Sequence, residues 1–521
     1  CRQIITAFGG RPVDNWEQFA EQPVIGRGID LHVVKDLSEL GETQGIDVLR
    51  RLDAALHNPA SPDRYLIAAN EGRLRYLLGN ADVPDLYTSI DYQIQHGVEP
   101  ASTQLVVINL TDVTTSSFVG TALSWMTADE HWAACEGCPI RERCPIRHNA
   151  NRLRDPEIAR RVQLLYQLLE HLDQHVTIRD MLIHLAYTVT GNRHCRELQR
   201  RAAGEEDWSP FVYYENIWGR SDDMAFRRKA SVVQHLERLH IGEHSLFEID
   251  DFIVSGSQAP DEKHEHDRLF APPLVDLDGW RFSQDRDAYL NGASARSASE
   301  DAQALRGWLP HCRRKLFFEW SAEARVTRLI PFLYLDRYQS LLRDERGVEE
   351  HVLPDLIKGL NRAFSRLYLN DADSLYVTTQ YLHSGEQPRP LIRLRIPRLN
   401  IWLEPLDQGA TSVYDCDRRV LHLVISPPPQ RHAPANPALD ARLRWPLGLL
   451  QFEYLLRLAN GGTFNILAEE CELDVRNLKD QLLSRFAGMP GSTDPLEFFV
   501  AERNHYSLKR LWIDEYGNIR G

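Results

Sequence analysis

Residues 29–36 read Ile-Asp-Leu-His-Val-Val-Lys-Asp, residues 64–70 read Arg-Tyr-Leu-Ile-Ala-Ala-Asn, and residues 104–110 read Gln-Leu-Val-Val-Ile-Asn-Leu. Each run is short, apolar and rich in β-branched side chains, the pattern of a buried strand. Val48, Leu49, Leu52, Ala55 and Leu56 recur at helical spacing between the first two runs, and Leu74, Tyr76, Leu77 and Leu78 follow the second. Strand, helix, strand, helix, strand predicts an α/β fold with a parallel, helix-covered sheet.

In such sheets, ligands bind beyond the carboxyl ends of the strands. Asp36 ends the first run, with Ser38 and Glu39 just after it, and Asn70 ends the second. In a nucleoside triphosphatase of the additional-strand type, an acidic residue at one strand end handles magnesium. A polar residue at the next strand end senses the γ-phosphate. Asp36 and Asn70 stand in that order, and Tyr65 to Asn70 resembles the sensor-one strand of AAA-type ATPases. The alternative for both is local, since Asp and Asn are common turn formers. A phosphate loop of the form G-x-x-x-x-G-K-[ST] cradles phosphates with its backbone N–H groups. No Gly-Lys-Ser or Gly-Lys-Thr occurs, and Gly9-Gly10-Arg11 lacks the lysine. The chain opens at Cys1, with no methionine before Met126. The expectation is therefore an N-terminally truncated chain whose phosphate loop lies upstream, or a protein that is not an ATPase.

The chain has 521 residues and a formal net charge of −14, with 26% charged and 43% hydrophobic residues. That composition excludes wholesale disorder and a general coat of positive charge for nucleic acid. No apolar run approaches the roughly 18 residues of a membrane span, and no secretory signal opens the chain. Only 8 cysteines occur, three of them within ten residues, which points to a metal site in a reducing cytoplasm more than to disulfides. Those three lie in Cys135-Glu-Gly-Cys138-Pro-Ile-Arg-Glu-Arg-Cys144-Pro-Ile-Arg-His148. Cys135 and Cys138 place two thiolates on one turn, and Cys144 and His148 complete a tetrahedral zinc set. An iron–sulfur cluster with Cys195 as fourth thiolate is the second reading. Small cysteines packed at a loop-to-helix junction are the third.

Val162, Leu165, Leu168, Leu169 and Leu172 then mark a helix, and Thr177 with Asp180 reads as the capping box of another, stopped at Gly191-Asn192. Helices after a nucleotide-binding sheet match the lid of AAA-type ATPases, in which an early arginine reaches the phosphates. Arg179 is the candidate, and a solvated first-turn arginine is the alternative.

Val34-Lys-Asp36-Leu-Ser38, Ala69-Asn70-Glu71-Gly72-Arg73-Leu74, the Cys-Pro-Ile-Arg-His-Asn segment and Val176-Thr-Ile-Arg179-Asp180 follow in one order. Tyr213-Tyr-Glu-Asn216, Ile249-Asp250-Asp251, Arg313-Arg314, Phe317-Phe318-Glu319 and Leu329-Ile-Pro331 come after them. From about residue 24 to about residue 470 the chain resembles the ATPase subunits of phosphorothioation-dependent DNA restriction, relatives of the large ATPases of phage-exclusion systems. The resemblance implies a P-loop NTPase-type (AAA-like) core, here lacking its phosphate loop, then a helical lid and a C-terminal α+β domain. It implies ATP and Mg as cofactors, partner subunits of an anti-phage defence complex, and DNA as the ultimate target. Asp36, Glu39, Asn70 and Arg179 would be the catalytic residues, with Asp36 and Asn70 also binding the cofactor. A zinc-containing scaffold with a degenerate nucleotide fold, binding protein partners, is the alternative.

The expected domains are 1–128 (partial nucleotide-binding core), 129–205 (cysteine cluster and lid), 206–305 (joining region), 306–430 (α+β) and 431–521 (helical and strand extension). Residues 254–304 read as a loop or hinge in which Asp261, His264, His266 and Asp267 cluster, either as a metal site or in solvent. Residues 375–425 read as a β-meander, and Pro427 to Pro437 as a polyproline-like linker. Arg393, Arg395 and Arg398 read as a basic edge strand, either solvated and salt-bridged or facing DNA phosphate or a protein partner, with Arg313, Arg314 and Lys315 as a second candidate surface. Residues 498–519 read as strand, with Trp512 and Tyr516 as anchors.

Overall fold

The computed structural model describes residues 2–7, 11, 21–26, 29–96, 104–108, 114–201, 211–219, 230–256, 259–271, 280–292, 295–345, 347–379, 391–408, 418–427, 442–462, 468–486, 495–503, 505–513 and 519–520. Its fold is mixed α/β and mostly helical. Two compact units emerge, Cys1–Val113 with Asp407–Arg418, and Thr114–Leu406 with Arg419–Gly521.

In the smaller unit, strands β1 (Glu21–Gly26), β2 (Ile29–Val34) and β3 (Asp63–Ile67) form one sheet in that order. Strands β2 and β3 run parallel, with Asp30 opposite Asp63 and Val34 opposite Ile67. The helix Glu42–Leu56 makes the crossover between them, and the helix Glu71–Ala81 follows β3. Both sheet faces are covered, as a parallel pair requires: Leu31 and Val33 pack with Val24 and Ile5, while Val34 packs with Val48, Leu49 and Leu77.

Two expectations for this unit are corrected. The sheet is not all parallel, because β1 pairs antiparallel to β2. The third run does not form a strand over 104–108, and Asn109 and Leu110 lie outside the described residues. Its backbone bonds a side chain instead: Gln93 donates to Leu105 O at 3.0 Å and accepts from Val107 N at 2.8 Å. A β-branched run thus ends up laced to the helix Pro84–His96.

The larger unit gathers its helices around one continuous apolar core. The remaining described strands are β4 (Ser374–Thr379), β5 (Leu391–Pro397), β6 (Ile401–Gln408), β7 (Arg418–Ile425), β8 (Leu443–Pro446), β9 (Leu496–Glu502), β10 (His505–Ile513) and β11 (Ile519–Arg520). They divide into two sheets, ordered β11-β10-β9-β5-β4 and β6-β7-β8. The meander read over 375–425 is therefore split between two sheets. Strand β5 is interior and not an edge, since β4 pairs along its length and β9 pairs with Leu391 and Ile392. Pro397 is its last residue.

Residues 443–513 supply strands to both sheets, so the boundary expected at 430/431 does not separate two bodies. The 254–304 segment is corrected from loop to helix: Phe247–Ser255, Pro260–Phe270, Trp280–Asn291 and the start of Ala298–Glu319 fill its described part. Pro260 opens one helix, and Ser297 with Glu300 caps another in a full capping box. Pro428 to Pro437 and Tyr516 lie outside the described residues, and Trp512 is exposed.

The helices Val348–Ser365 and Leu449–Ala459 cross at Gly359, where an added Cβ would lie 2.2 Å from Leu455 O. Backbone cannot rotate away as a side chain can. Gly359→Ala should therefore cost about 3 kcal/mol of stability, the upper end of ordinary overpacking. Thermal melting of the two proteins side by side checks it, and an unchanged melting temperature contradicts the close crossing.

Candidate functional site

Asp36 and Asn70 follow adjacent parallel strands at one end of the small sheet. Backbone pairing continues past the strands, with Ala68 N donating to Val34 O at 3.0 Å and Leu37 N to Ala68 O at 2.8 Å. Both side chains are engaged locally. Asp36 Oδ1 accepts from Ser38 N at 2.8 Å, closing its own turn. Asn70 Oδ1 accepts from Arg73 N at 3.3 Å as N-cap of the helix Glu71–Ala81. Glu39 is paired with Lys35 at 2.6 Å. Arg179 belongs to the larger unit and is exposed on the first turn of the helix Ile178–Thr190. That helix starts as its capping residues require: Thr177 Oγ1 accepts from Asp180 N at 3.1 Å. It stops at Gly191, whose φ of +57° suits glycine and whose Cβ position would lie 3.0 Å from Asn216 Oδ1.

The cysteine segment is a chain of tight turns. Cys138 N donates to Cys135 O at 3.1 Å, Arg141 N to Cys138 O at 3.1 Å, and Cys144 N to Arg141 O at 3.4 Å. Cys144 then caps the helix Pro145–Arg152, on whose first turn His148 N donates to Cys144 O at 2.9 Å. Cys144 is buried, Cys135, Cys138 and His148 are half-buried, and Cys195 is exposed at the start of the helix Cys195–Arg201. Gln199 on that helix points Nε2 at Cys138 Sγ, 3.4 Å away. Burial pushes the Cys144 thiol above its ordinary pKa, and the charges of Cys195 and Cys135 push it further. Among the described residues, no three His, Cys, Asp or Glu side chains already stand in position to hold a metal ion. In the 254–304 segment, His266 is buried and its Nε2 bonds Ile253 O at 3.1 Å, joining two helices.

The basic surfaces separate sharply. Arg393 and Arg395 are exposed on β5, with Arg395 bonded to Ser374 Oγ at 3.0 Å and lying over the Tyr376 ring. Arg398 is half-buried beside Glu350 O. The second expected surface is corrected: Arg313, Arg314 and Lys315 are 4%, 5% and 2% exposed and meet no solvent-borne phosphate. Arg313 grips Asp250 with two bonds, at 2.6 and 2.7 Å. Arg314 Nε donates to Glu215 Oε1 at 2.8 Å, and His311 Nδ1 lies 2.9 Å from the same oxygen. Burial pushes the Glu215 carboxyl up, but Arg314 and His311 outweigh it and hold it below the ordinary glutamate value. Glu319 takes Arg152 at 2.7 Å, the Tyr213 hydroxyl at 2.6 Å and Lys315 at 3.5 Å.

Asn149 bonds the backbone at Val189, Phe211 and Tyr213. The segments 213–216, 249–251 and 313–319, quoted above as separate motifs, are thus partners of one another. Their sequence signal is charge on the core side of a helix: Arg313, Arg314 and Lys315 sit directly beside Leu316, Phe317 and Phe318. Buried charges need partners.

No family model, no curated protein and no solved structure matches this chain.

Proposed function

We propose that the chain is an ATPase-type subunit of an anti-phage DNA restriction system, whose smaller unit carries the magnesium and sensor end of a nucleotide-binding core. The observation that carries this reading is the placement of Asp36 and Asn70 just past neighbouring parallel strands, β2 and β3. Ligands of open α/β sheets bind at that end. In this reading the core is of the parallel P-loop type, is followed in the chain by a helical lid, and takes ATP and Mg. Partner subunits and DNA are met through a local surface, of which exposed Arg393 and Arg395 are the best placed. The scaffold reading draws on the local engagement of Asp36 and Asn70, each already bonded to its own backbone turn.

The reading frame that encodes this chain, and the protein expressed from the whole of it, separate the two. That protein should hydrolyse Mg-ATP, and Asp36→Asn should lower turnover roughly a hundredfold, the scale of losing one transition-state contact. Asn70→Ser keeps a good N-cap but removes the amide. A comparable fall in its turnover with an unchanged melting temperature marks a sensor. Full turnover in Asn70→Ser, or no G-x-x-x-x-G-K-[ST] upstream, overturns the ATPase reading and leaves the scaffold.

A further inference from the structure

We propose that Arg73 is the anion-holding residue at the carboxyl end of β2 and β3, and that the group it takes is a magnesium-bound phosphate. The inference rests on the reading of that end as a ligand site, and adds to it a residue and a chemistry. Arg73 is the third residue of the helix Glu71–Ala81. Its backbone N–H donates to Asn70 Oδ1, and its Nη2 reaches across to Leu40 O, 3.3 Å away in the loop that follows Asp36. The side chain therefore spans the two loops that carry Asp36 and Asn70.

What singles Arg73 out is a missing partner. Its Nε is buried and bonds nothing. Among the described residues no carboxylate pairs with this guanidinium, and its other neighbour is the Tyr76 ring, 5.6 Å away. The nearby acids are engaged elsewhere: Glu71 with Arg75 at 3.0 Å, Glu39 with Lys35 at 2.6 Å, and Glu42 with the Tyr76 hydroxyl at 3.1 Å. A cation whose donor is sealed from water without an anion is costly to keep. Nε and Nη2 form one edge of the guanidinium, the edge that matches two oxygens of a phosphate. Here that edge carries a single long bond to a neutral carbonyl, which a ligand can displace. A bare phosphate would meet Asp36, Glu39 and Glu42 as like charges. A phosphate that brings magnesium turns Asp36 from a repulsion into a ligand, since magnesium binds through one or two carboxylates together with phosphate oxygens.

Isothermal titration of the chain with pyrophosphate, at low salt with and without magnesium, tests the assignment. The wild type should show saturable binding that requires magnesium. Arg73→Gln should weaken it about tenfold, the scale of one charge-assisted contact. Arg73→Lys keeps the charge without the fork and should recover only part of the loss. No binding by the wild type, binding that ignores magnesium, or equal affinity in Arg73→Gln overturns the proposal. Melting temperatures separate binding from packing. Without pyrophosphate, Arg73→Gln should melt no lower than the wild type, because Nε has no bond to lose. A clear drop in melting temperature with unchanged affinity marks a packing arginine and overturns the proposal. Turnover of the protein expressed from the whole reading frame keeps this assignment apart from the ATPase reading. Pyrophosphate binding that needs Arg73 and magnesium, in a protein that hydrolyses no ATP, upholds Arg73 and removes only the ATPase. Hydrolysis with unchanged KM and kcat in Arg73→Gln does the reverse.

Discussion

Arg314→Met should destabilise the larger unit by about 3–5 kcal/mol, the cost of leaving a buried charge without its partner. Glu215 is 4% exposed and holds Arg314 and His311 on one oxygen, so removing the guanidinium leaves a buried carboxylate with His311 alone. Methionine matches the arginine stem closely enough to keep the packing around Gly242, whose Cβ position would lie 2.7 Å from Arg314 Cγ. The loss is therefore electrostatic more than steric. Glu215→Gln with Arg314→Met should recover a large part of it, because no ion then remains to be stranded. Urea titration of the single and double variants measures the difference. Equal midpoints for Arg314→Met and the wild type would mean that the network contributes nothing.

That network also shows how far the sequence could be read. The parallel pair β2–β3 was legible because its signal is local: two β-branched runs flank one amphipathic helix. The run at 104–110 carries the same local signal, yet its described part bonds Gln93 and no neighbouring strand. Pairing is decided by what lies alongside in space, and periodicity does not contain that. The helices over 254–304 were hidden for a different reason. Their Ser, Pro and Asp content reads as loop when counted, and as capping when placed at helix starts. Arg313 and Arg314 were misread because a charge run is normally solvated. Their partners, Asp250 and Glu215, lie far away in the sequence, and only the fold joins them. The cysteine segment falls between these cases. The turn of Cys135 and Cys138 is evident from spacing alone, but which side chains stand near it is a question of tertiary geometry.

His184 makes the second strong prediction, on the pH dependence of stability. It is 1% exposed, and its two ring nitrogens meet the Tyr166 hydroxyl at 2.6 Å and Ile217 O at 2.9 Å. A carbonyl can only accept, so Nε2 carries the proton and Nδ1 accepts from Tyr166. The ring is therefore neutral, and protonating Nδ1 would bury a charge and displace the proton that Tyr166 donates to it. Burial lowers its pKa from 6.5 to about 4, with the Ile217 contact opposing only in part. In the unfolded chain the same ring protonates near 6.5. Between those values the unfolded state binds more protons, so stability falls as pH falls through the window and is intact above it. A shift of this size is worth about 3 kcal/mol in full, of which about 2 kcal/mol should be lost between pH 7 and pH 5. His266 and His235 shift the same way through burial, so the wild-type slope sums several groups. His184→Gln isolates one of them. The variant should be less stable than the wild type at pH 7, yet lose about 2 kcal/mol less on going to pH 5. Urea unfolding of both proteins at the two pH values reads this directly. Parallel losses in variant and wild type would show that the ring is already charged in the folded chain.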